Sequence, residues 1–290
     1  MNSETALITG ASSGIGLHLA HEFARHGHPL VLVAPVQSEL EEIAAHMRTT
    51  HGVDAHVIAK DLEQPTAAQE IFDELHAAGV TIDILVNNAG HGFHGKWWEI
   101  PIEKDLSMVR LNIEAPLRLT KLFLPSMLSR QHGRILNTAS IAGFEPGPLL
   151  NTYFSTKAFV LSWSEALAIE LEDTPITVTA LCPGVTDTDF FAKGNAENMK
   201  GRHSSNVMAP QEVAKIGYEG LMKEELFVVA GGMNKAMVAA RRILSVEKQA
   251  KLNLAMNADV PPEERKRYRG DEEGAAANKE EAPPGVAAVR

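Results

Sequence analysis

The stretch Thr5-Ala6-Leu7-Ile8-Thr9-Gly10-Ala11-Ser12-Ser13-Gly14-Ile15-Gly16 decides the fold of this chain. Its first five residues form a short apolar, β-branched run, which predicts a buried strand. From Ile15 to Arg25 the apolar residues follow helical spacing, so a helix begins where the glycines end. A glycine turn between a strand and a helix N-terminus offers backbone N–H groups and the positive end of the helix dipole to a pyrophosphate. The stretch therefore predicts the first βα turn of a dinucleotide-binding fold.

The alternation of strand and helix continues along the chain. Short apolar runs predict strands at 5–9, 29–34, 53–58, 82–86, 133–139, 175–181 and 226–230. Helical spacing between them predicts helices near 15–27, 38–50, 65–78, 103–129, 150–172 and 210–223. Such alternation indicates a parallel sheet with helices on both faces, joined by right-handed crossovers. We expect one doubly wound α/β domain of the Rossmann type over residues 1–230.

Tyr153 and Lys157 lie four residues apart in a predicted helix, so their side chains share one face of that helix. A free phenol has a pKa of about 10 and exchanges protons poorly at neutral pH. A neighbouring ammonium lowers the pKa of the phenol because it favours the phenolate, which gives a general acid/base usable near physiological pH. Ordinary surface pairs have the same spacing, so the interpretation depends on residues elsewhere in the chain.

In combination, these residues resemble the short-chain dehydrogenase/reductase superfamily. The matching motifs follow in family order: Thr9-Gly10-x3-Gly14-Ile15-Gly16, Asp61, Asn87-Asn88-Ala89-Gly90, Asn112, Ser140, Tyr153-x3-Lys157 and Pro183-Gly184-Val185-Thr186. The resemblance implies an NAD(P)-dependent oxidoreductase whose parallel sheet has the strand order 3-2-1-4-5-6-7. It also implies a homodimer or homotetramer packed through the fourth and fifth helices.

The resemblance implies a catalytic tetrad of Asn112, Ser140, Tyr153 and Lys157. Tyr153 would be the general acid in carbonyl reduction, or the general base in alcohol oxidation. Ser140 follows a predicted strand and would donate a hydrogen bond to the substrate oxygen, although a serine there is equally suited to a turn. Lys157 would lower the pKa of the phenol and hold the ribose hydroxyls of the cofactor. Asn112 would bend the long fourth helix.

The nicotinamide cofactor would be held at the ends of several predicted strands. Besides Tyr153 and Lys157, the resemblance assigns this role to Gly10, Ser12, Ser13, Gly14, Ile15, Gly16, Asp61, Leu62, Asn88, Ala89, Gly90, Pro183, Gly184, Val185 and Thr186. An acid at the end of the second strand would bind the ribose 2′-OH and reject a 2′-phosphate. That strand instead runs into Ala34-Pro35-Val36-Gln37, with neither an acid nor the arginine of many NADP-binding relatives. We therefore favour NADP, with NAD as the alternative.

The substrate pocket is expected in the loops that follow the fourth, fifth and sixth strands. Its candidates are His91, Phe93, Phe144, Leu149 and Phe190, most of them apolar or aromatic. These loops contain no arginine-rich group suited to a carboxylate or phosphate. A hydrophobic ketone, aldehyde or secondary alcohol therefore fits better than a small charged acid.

Composition narrows the classes of function further. The net charge of −10 argues against non-specific binding of nucleic acid. No apolar run reaches the ~18 residues of a membrane span, and no signal sequence is recognised, so we expect a cytoplasmic protein. Cys182 is the single cysteine, which fits a reducing compartment. The twelve histidines lack a metal-site context, so we expect no metal.

The composition changes after residue 230. Helical periodicity, with apolar residues such as Val238, Ile243, Val246 and Leu252, predicts an amphipathic helix region over 231–258 that packs on the domain or on a second subunit. Weak association of 233–256 with a membrane surface is the alternative. Residues 259–290 are dominated by Pro, Glu, Ala and Gly, which predicts a disordered or loosely draped tail.

Two other functional classes compete with a carbonyl reductase or alcohol dehydrogenase. A non-catalytic nucleotide-sensing or scaffold protein could use the same fold, but Ser140, Tyr153 and Lys157 are all present. A sugar epimerase or dehydratase of the extended branch would need a large C-terminal substrate domain, for which the residues after Thr186 are too few. Hydride transfer at a carbonyl or alcohol carbon is therefore the predicted chemistry.

Overall fold

One parallel sheet organises the computed structural model, which describes residues 4–241 and 243–261. Its strands are β1 (Ala6–Thr9), β2 (Leu30–Ala34), β3 (Ala55–Ala59), β4 (Ile84–Asn87), β5 (Gly133–Thr138), β6 (Ile176–Cys182) and β7 (Phe227–Val229). They pair in the order β3-β2-β1-β4-β5-β6-β7, which confirms the predicted order and the doubly wound fold. Each predicted strand is present, with bounds that differ by one or two residues.

Helices cover both faces of the sheet. They are α1 (Gly14–Arg25), α2 (Gln37–His51), α3 (Ala67–Ala77), α4 (Ile102–Val109), α5 (Ala115–Arg130), α6 (Asn151–Glu170), α7 (Phe190–Lys193), α8 (Pro210–Met222), α9 (Gly232–Arg241) and α10 (Val246–Asn257). Alternate residues of each strand point to opposite faces, so Ile8 and Leu32 pack with α1, α2 and α8. Leu7 and Val31 pack with α3 and α5 on the other face. Burial on both faces explains why these strands are apolar throughout.

The predicted fourth helix is interrupted at Asn112. A π-helical segment, Arg110–Glu114, joins α4 to α5, so one extra residue lies in this turn. Asn112 is buried there, and its side chain bonds Thr156 of α6 and both backbone groups of His91. Those three hydrogen bonds hold the bulge in place, because the amide would otherwise be buried without partners.

The C-terminal region differs from the single helix that periodicity predicts. It consists of α9 and α10, which we call the strap, and both helices lie against the body of the domain. Val238 is buried as expected, but Ile243, Val246 and Leu252 are exposed. Polar side chains form the inner face of α10, so its apolar side chains do not pack on the domain, and packing on a second subunit stays a prediction.

Further predictions concern membrane spans, subunit contacts, surface association and the C-terminal tail. Among the helices of residues 4–241 and 243–261, none combines the length and apolar character needed to traverse a bilayer. The fourth and fifth helices of the prediction, which are expected to form a subunit interface, correspond to α4 with α5 and to α6. They carry exposed apolar side chains such as Leu106 and Phe159. Oligomer formation stays a prediction, as does surface association of 233–256. Most of the expected tail, residues 262–290, lies outside the described residues.

Candidate active site

A cavity of about 420 Å³ lies at the carboxyl ends of the strands. Its wall includes the residues that directly follow six of them: Gly10, Pro35, Lys60, Asn88, Ala139 and Pro183. In a doubly wound sheet this edge, beside the first strand, is where ligands bind. Nearly all of the predicted cofactor and catalytic residues therefore face one space.

The glycine turn after β1 brings backbone, rather than side chains, to the cavity. Gly10 has a φ of +65°, which favours glycine at this turn. A Cβ on Gly16 would lie 2.0 Å from the carbonyl oxygen of Gly10 and 2.4 Å from Nδ2 of Asn88, so only glycine fits. This close packing leaves the N-terminus of α1 open toward the cavity, which fits a pyrophosphate held by backbone N–H groups. Ser12 and Ser13 both line the cavity, and the Ser13 hydroxyl also donates to Asp189 at 3.2 Å.

Thr9 fixes the loop after β4 against the glycine turn. Its hydroxyl accepts hydrogen bonds from the backbone N–H groups of Asn88 and Ala89, at 2.9 and 3.0 Å. Asn88 returns a bond from Nδ2 to the Thr9 carbonyl at 3.0 Å. The motifs at residues 9–16 and 87–90 are thus one hydrogen-bonded unit, and the side chain of Thr9 is a positioning group that sequence reasoning left unassigned.

Ser140 and Tyr153 meet within the cavity. Ser140 is buried at the start of a 3₁₀ turn, Ile141–Phe144, and its hydroxyl accepts from the backbone N–H of Ala142 at 3.1 Å. That hydroxyl donates to the Pro183 carbonyl at 3.3 Å and lowers the pKa of the nearby Tyr153 phenol. Ser140 and Tyr153 both line the cavity, where their hydroxyls can reach one carbonyl oxygen.

Lys157 lies beside this pair but bonds to the backbone. Its ammonium donates to the carbonyl of Thr138 at 2.7 Å and lies 5.8 Å from the centroid of the Tyr153 ring. Burial lowers the pKa of Lys157 to about 8, an effect that Cys182 partly opposes. The buried ammonium is therefore held at the site with its remaining N–H groups available to a ligand.

The predicted lowering of the phenol pKa is not what the structure shows. Burial raises the pKa of Tyr153 to about 12, and the hydrogen bond with Ser140 offsets only part of that rise. The physical reason is the direction of Lys157, whose ammonium bonds Thr138 rather than the phenol oxygen. Tyr153 is consequently protonated at neutral pH in this structure, as a proton donor must be.

Asn112 completes the group of four. A Cβ on Gly90 would lie 3.0 Å from Oδ1 of Asn112 and 3.4 Å from Nζ of Lys157, so the glycine allows both side chains to approach the same backbone. The π-helical segment turns Asn112 toward this point from α4 and α5. All four predicted catalytic residues are thus brought together, by β5, α6 and the bulged helix.

The opposite end of the cavity contains Asp61 and Leu62. Asp61 is exposed, and its carboxylate accepts from the backbone N–H of Glu63 at 3.0 Å, so it also caps its own turn. Lys60 lines the cavity as well, although sequence reasoning did not select it. Its backbone N–H donates to Ala34 at 3.0 Å, which places it beside the end of β2.

The turn Pro183–Thr186 forms a third side of the cavity wall. The Pro183 carbonyl accepts from the backbone N–H of Ile141 at 2.9 Å, which ties this turn to Ser140. The hydroxyl of Thr186 donates to Gly184 at 3.1 Å within the turn itself. Cys182 is fully buried, and burial raises the pKa of its thiol to about 12, so packing is its role rather than nucleophilic chemistry.

Two of the five substrate candidates line the cavity, His91 and Phe190. Phe93, Phe144 and Leu149 do not, and each has a local reason. The Phe93 ring lies under the ammonium of Lys104, and the Phe144 ring packs against Phe227 in the core. Leu149 has a φ of +69°, and the following residue, Leu150, takes its place in the wall.

The strap supplies part of the wall that sequence reasoning missed. Its contributors are Met237, Arg241, Asn253, Met256 and Asn257. The signal that could have revealed it is the recurrence of amides every fourth residue in α10, which is unusual for an outward-facing helix. Within the described part of the chain, no cluster of three or more His, Cys, Asp or Glu side chains is placed to hold a metal ion.

Comparison with known proteins points to one family. The model of the short chain dehydrogenase family matches residues 4–199. A very-long-chain 3-oxoacyl-CoA reductase of Phaeosphaeria nodorum is 39% identical over 171 residues, which is 58% of this chain and 50% of that protein. This chain thus spans about half the length of curated relatives of this kind.

Comparison with solved structures points to the same family. A short-chain dehydrogenase of Sphingobium yanoikuyae, in complex with NADPH, is 33% identical with a TM-score of 0.74, over 82% of this chain and 94% of that one. A bulky-bulky ketone specific alcohol dehydrogenase of Comamonas testosteroni is 32% identical with a TM-score of 0.70, over 84% and 96% of the two chains. With the strand order, the glycine turn and the match over residues 4–199, the chain belongs to the short-chain dehydrogenase family.

Proposed function

We propose that this protein is an NADP(H)-dependent oxidoreductase that reduces the carbonyl group of a largely apolar small molecule, or oxidises the corresponding secondary alcohol. The observation that carries the proposal is the pair of Ser140 and Tyr153 in one cavity wall, with the Lys157 ammonium 5.8 Å from the centroid of the Tyr153 ring. The pair faces the same cavity as the glycine turn. A proton donor and a dinucleotide cradle in one space are what such a reaction needs.

Tyr153 would act as the general acid in reduction. With a pKa of about 12 its hydroxyl is protonated, so it can donate to a carbonyl oxygen as negative charge develops there. Ser140 would donate a second hydrogen bond to that oxygen. The charge of Lys157, 5.8 Å from the ring centroid, would stabilise the phenolate that remains after proton transfer. When bound, the nicotinamide supplies the hydride in reduction and accepts it in oxidation.

The residues present fit that cofactor. Gly10 and Gly16 would let the pyrophosphate approach the backbone, with Ser12, Ser13, Gly14 and Ile15 around it. Asp61 and Leu62 would lie on the adenine side, and the segments 88–90 and 183–186 would line the path to the nicotinamide. Lys157 would hold the nicotinamide ribose. Support for NADP comes from the NADPH complex of the Sphingobium relative and from the absence of an acid at the end of β2.

Lys60 provides a cation on the side where a 2′-phosphate would lie. Its ammonium pairs with Glu70 at 2.5 Å, and that carboxylate raises the pKa of the ammonium through a hydrogen bond. We expect Lys60→Gln to weaken NADPH binding about fivefold, because an exposed ionic contact is lost, and to leave NADH binding unchanged. Fluorescence titration of both cofactors measures the difference. Glu70→Gln is the matched control, since it frees the ammonium and should not weaken NADPH binding. Equal losses for NADH and NADPH would contradict the assignment.

The wall around Tyr153 supports an apolar substrate. It is formed largely by the hydrophobic side chains of Leu150, Phe154, Phe190, Phe191 and Met199. Two relatives act, by their names, on very-long-chain 3-oxoacyl-CoA and on ketones that are bulky on both sides. A bulky hydrophobic carbonyl compound is therefore the class that we propose.

A panel of carbonyl compounds tests the proposed function. We expect NADPH-dependent reduction of hydrophobic ketones or aldehydes, followed by the absorbance of the reduced cofactor, and little reduction of small keto acids. NADH in parallel measures the cofactor preference. If the protein binds NADPH and turns over none of the panel, the non-catalytic nucleotide-sensing alternative is favoured. Preference for keto acids would refute the apolar substrate.

A further inference from the structure

The strap adds charged and polar side chains to the cavity wall. The family match ends at residue 199, so the strap is a feature of this chain that the match does not describe. From α9 comes Arg241, and from α10 come Asn253 and Asn257. Glu145, at the end of the 3₁₀ turn after Ser140, faces them from the body of the domain.

Hydrogen bonds fix the position of α10. Gln249, Asn253 and Asn257 recur every fourth residue, so they share one helix face, and all three are buried. Gln249 donates to the Arg241 carbonyl at 2.9 Å. Asn253 and Asn257 donate to the carbonyls of Pro146 and Pro148, at 2.8 and 2.9 Å. The strap is thus held in one register against the segment 145–150.

Within this arrangement Glu145 and Arg241 form a buried ion pair. Oε1 of Glu145 lies 2.5 Å from Nη1 of Arg241, and the side chains are 3% and 13% exposed. Burial raises the pKa of Glu145, while Arg241 and a hydrogen bond from Asn253 oppose that rise. Burial likewise lowers the pKa of Arg241, and Glu145 opposes this. The two charges compensate each other, so this part of the wall is strongly polar but has no net charge.

We propose that the Glu145–Arg241 pair is a specificity-determining element, which selects substrates with an uncharged hydrogen-bonding group, such as a hydroxyl, on the side of the cavity formed by the strap. This inference rests on the proposed function. A hydroxyl can donate to the Glu145 carboxylate and accept from the Arg241 guanidinium, so it satisfies both. A methyl group leaves both without a ligand partner, and a carboxylate is repelled by Glu145.

If the pair selects the substrate, substitution of either residue should change the preference between hydroxyl and carboxylate compounds. Removal of the Glu145 charge leaves Arg241 uncompensated, and a buried guanidinium then binds a carboxylate well. Removal of the Arg241 charge takes away the cation that attracts a carboxylate on this side of the cavity, so a carboxylate is bound less well. The two single variants should thus shift the preference in opposite directions, an outcome that a general loss of packing would not produce.

The experiment uses three ketones that share one apolar body and end in a methyl, a hydroxyl or a carboxylate group. For the wild-type protein we expect kcat/KM to be highest for the hydroxyl compound and lowest for the carboxylate. Glu145→Gln should raise kcat/KM for the carboxylate relative to the hydroxyl compound at least about tenfold, and Arg241→Gln should lower that ratio. Glu247→Gln is the matched control, because Glu247 pairs with Lys251 on the outside of the same strap. Its ratios should equal those of the wild type.

Failure of the inference can be told from failure of the proposed function. Turnover of the ketones with the same ratios in Glu145→Gln as in the wild type would overturn the role of the pair. Absence of turnover by the wild-type protein would overturn the proposed function instead. The shift of Tm by each compound, measured with the same variants, reports binding without turnover. A larger shift by the carboxylate compound in Glu145→Gln supports the pair, and an unchanged shift overturns it.

Discussion

Tyr153→Phe should reduce kcat about 100- to 10,000-fold, the usual contribution of a general acid, while the affinity for NADPH stays close to that of the wild type. The substitution removes only the hydroxyl. The ring that remains can keep its contacts with Phe154 and Phe190, at centroid distances of 6.2 and 5.1 Å. Steady-state kinetics with the best carbonyl of the panel gives kcat, and fluorescence titration gives the NADPH affinity.

Tyr218→Phe provides the matched control for this prediction. The Tyr218 hydroxyl bonds Nε2 of His28 at 3.1 Å, and this residue is not part of the cavity wall. Loss of that hydroxyl should leave kcat within about twofold of the wild type, since substitutions away from a site change little. Undiminished turnover by Tyr153→Phe would rule out proton donation by this phenol, and with it the mechanism proposed for the site.

Gly16→Ala should lower kcat/KM about 100-fold or more, because displacement of the glycine turn misplaces the cofactor. Helix propensity alone would favour alanine in α1 by about 1 kcal/mol. The added Cβ would however lie 2.0 Å from the Gly10 carbonyl oxygen, and backbone must shift to accept it. Such overpacking typically lowers the free energy of unfolding by about 1–3 kcal/mol. NADPH titration and urea denaturation measure the two effects.

Gly232→Ala is the control for the glycine turn. A Cβ at Gly232 has no neighbour within 4 Å. The free energy of unfolding of the Gly232→Ala protein should therefore differ from that of the wild type by no more than about 0.5 kcal/mol. The comparison of Gly16→Ala with Gly232→Ala shows whether a loss of activity comes from the glycine turn. Normal NADPH affinity in a folded Gly16→Ala protein would show that the turn is not the cofactor cradle.

The features that could be predicted from sequence are those that local pattern determines. The strand Thr5–Thr9 and the glycines after it are neighbours in the chain, so composition and spacing suffice to place them. Ser140 lies far from Tyr153 and Lys157 in the sequence, so local pattern could not predict that they lie close together. That prediction came from the resemblance to a family. Its geometry follows from the parallel pairing of β4, β5 and β6, which brings their carboxyl ends to one edge.

The predictions that failed depend on side-chain direction. Leu149 and Leu150 are adjacent and equally apolar, and the φ of +69° at Leu149 decides which of them lines the cavity. Burial raises the pKa of the Tyr153 phenol, and the Lys157 ammonium, which would lower it, bonds the Thr138 carbonyl instead of the phenol oxygen. Hydrophobic periodicity does not identify the inner face of α10, because that helix buries amides and exposes leucines. A prediction from hydrophobic periodicity assumes that the apolar face of a helix packs against the core.

The inner face of α10 has a consequence for how the two helices of the strap are held on the domain. Val238 anchors α9 in the apolar core, whereas amide-to-carbonyl bonds attach α10. When such bonds break, water replaces the lost partners, and little hydrophobic surface becomes wet. Backbone bonds of Ala258 and Val260 with Lys200 and Asn198 complete the polar attachment of α10. The two helices of the strap are thus held by forces of different kinds, apolar packing for α9 and hydrogen bonding for α10.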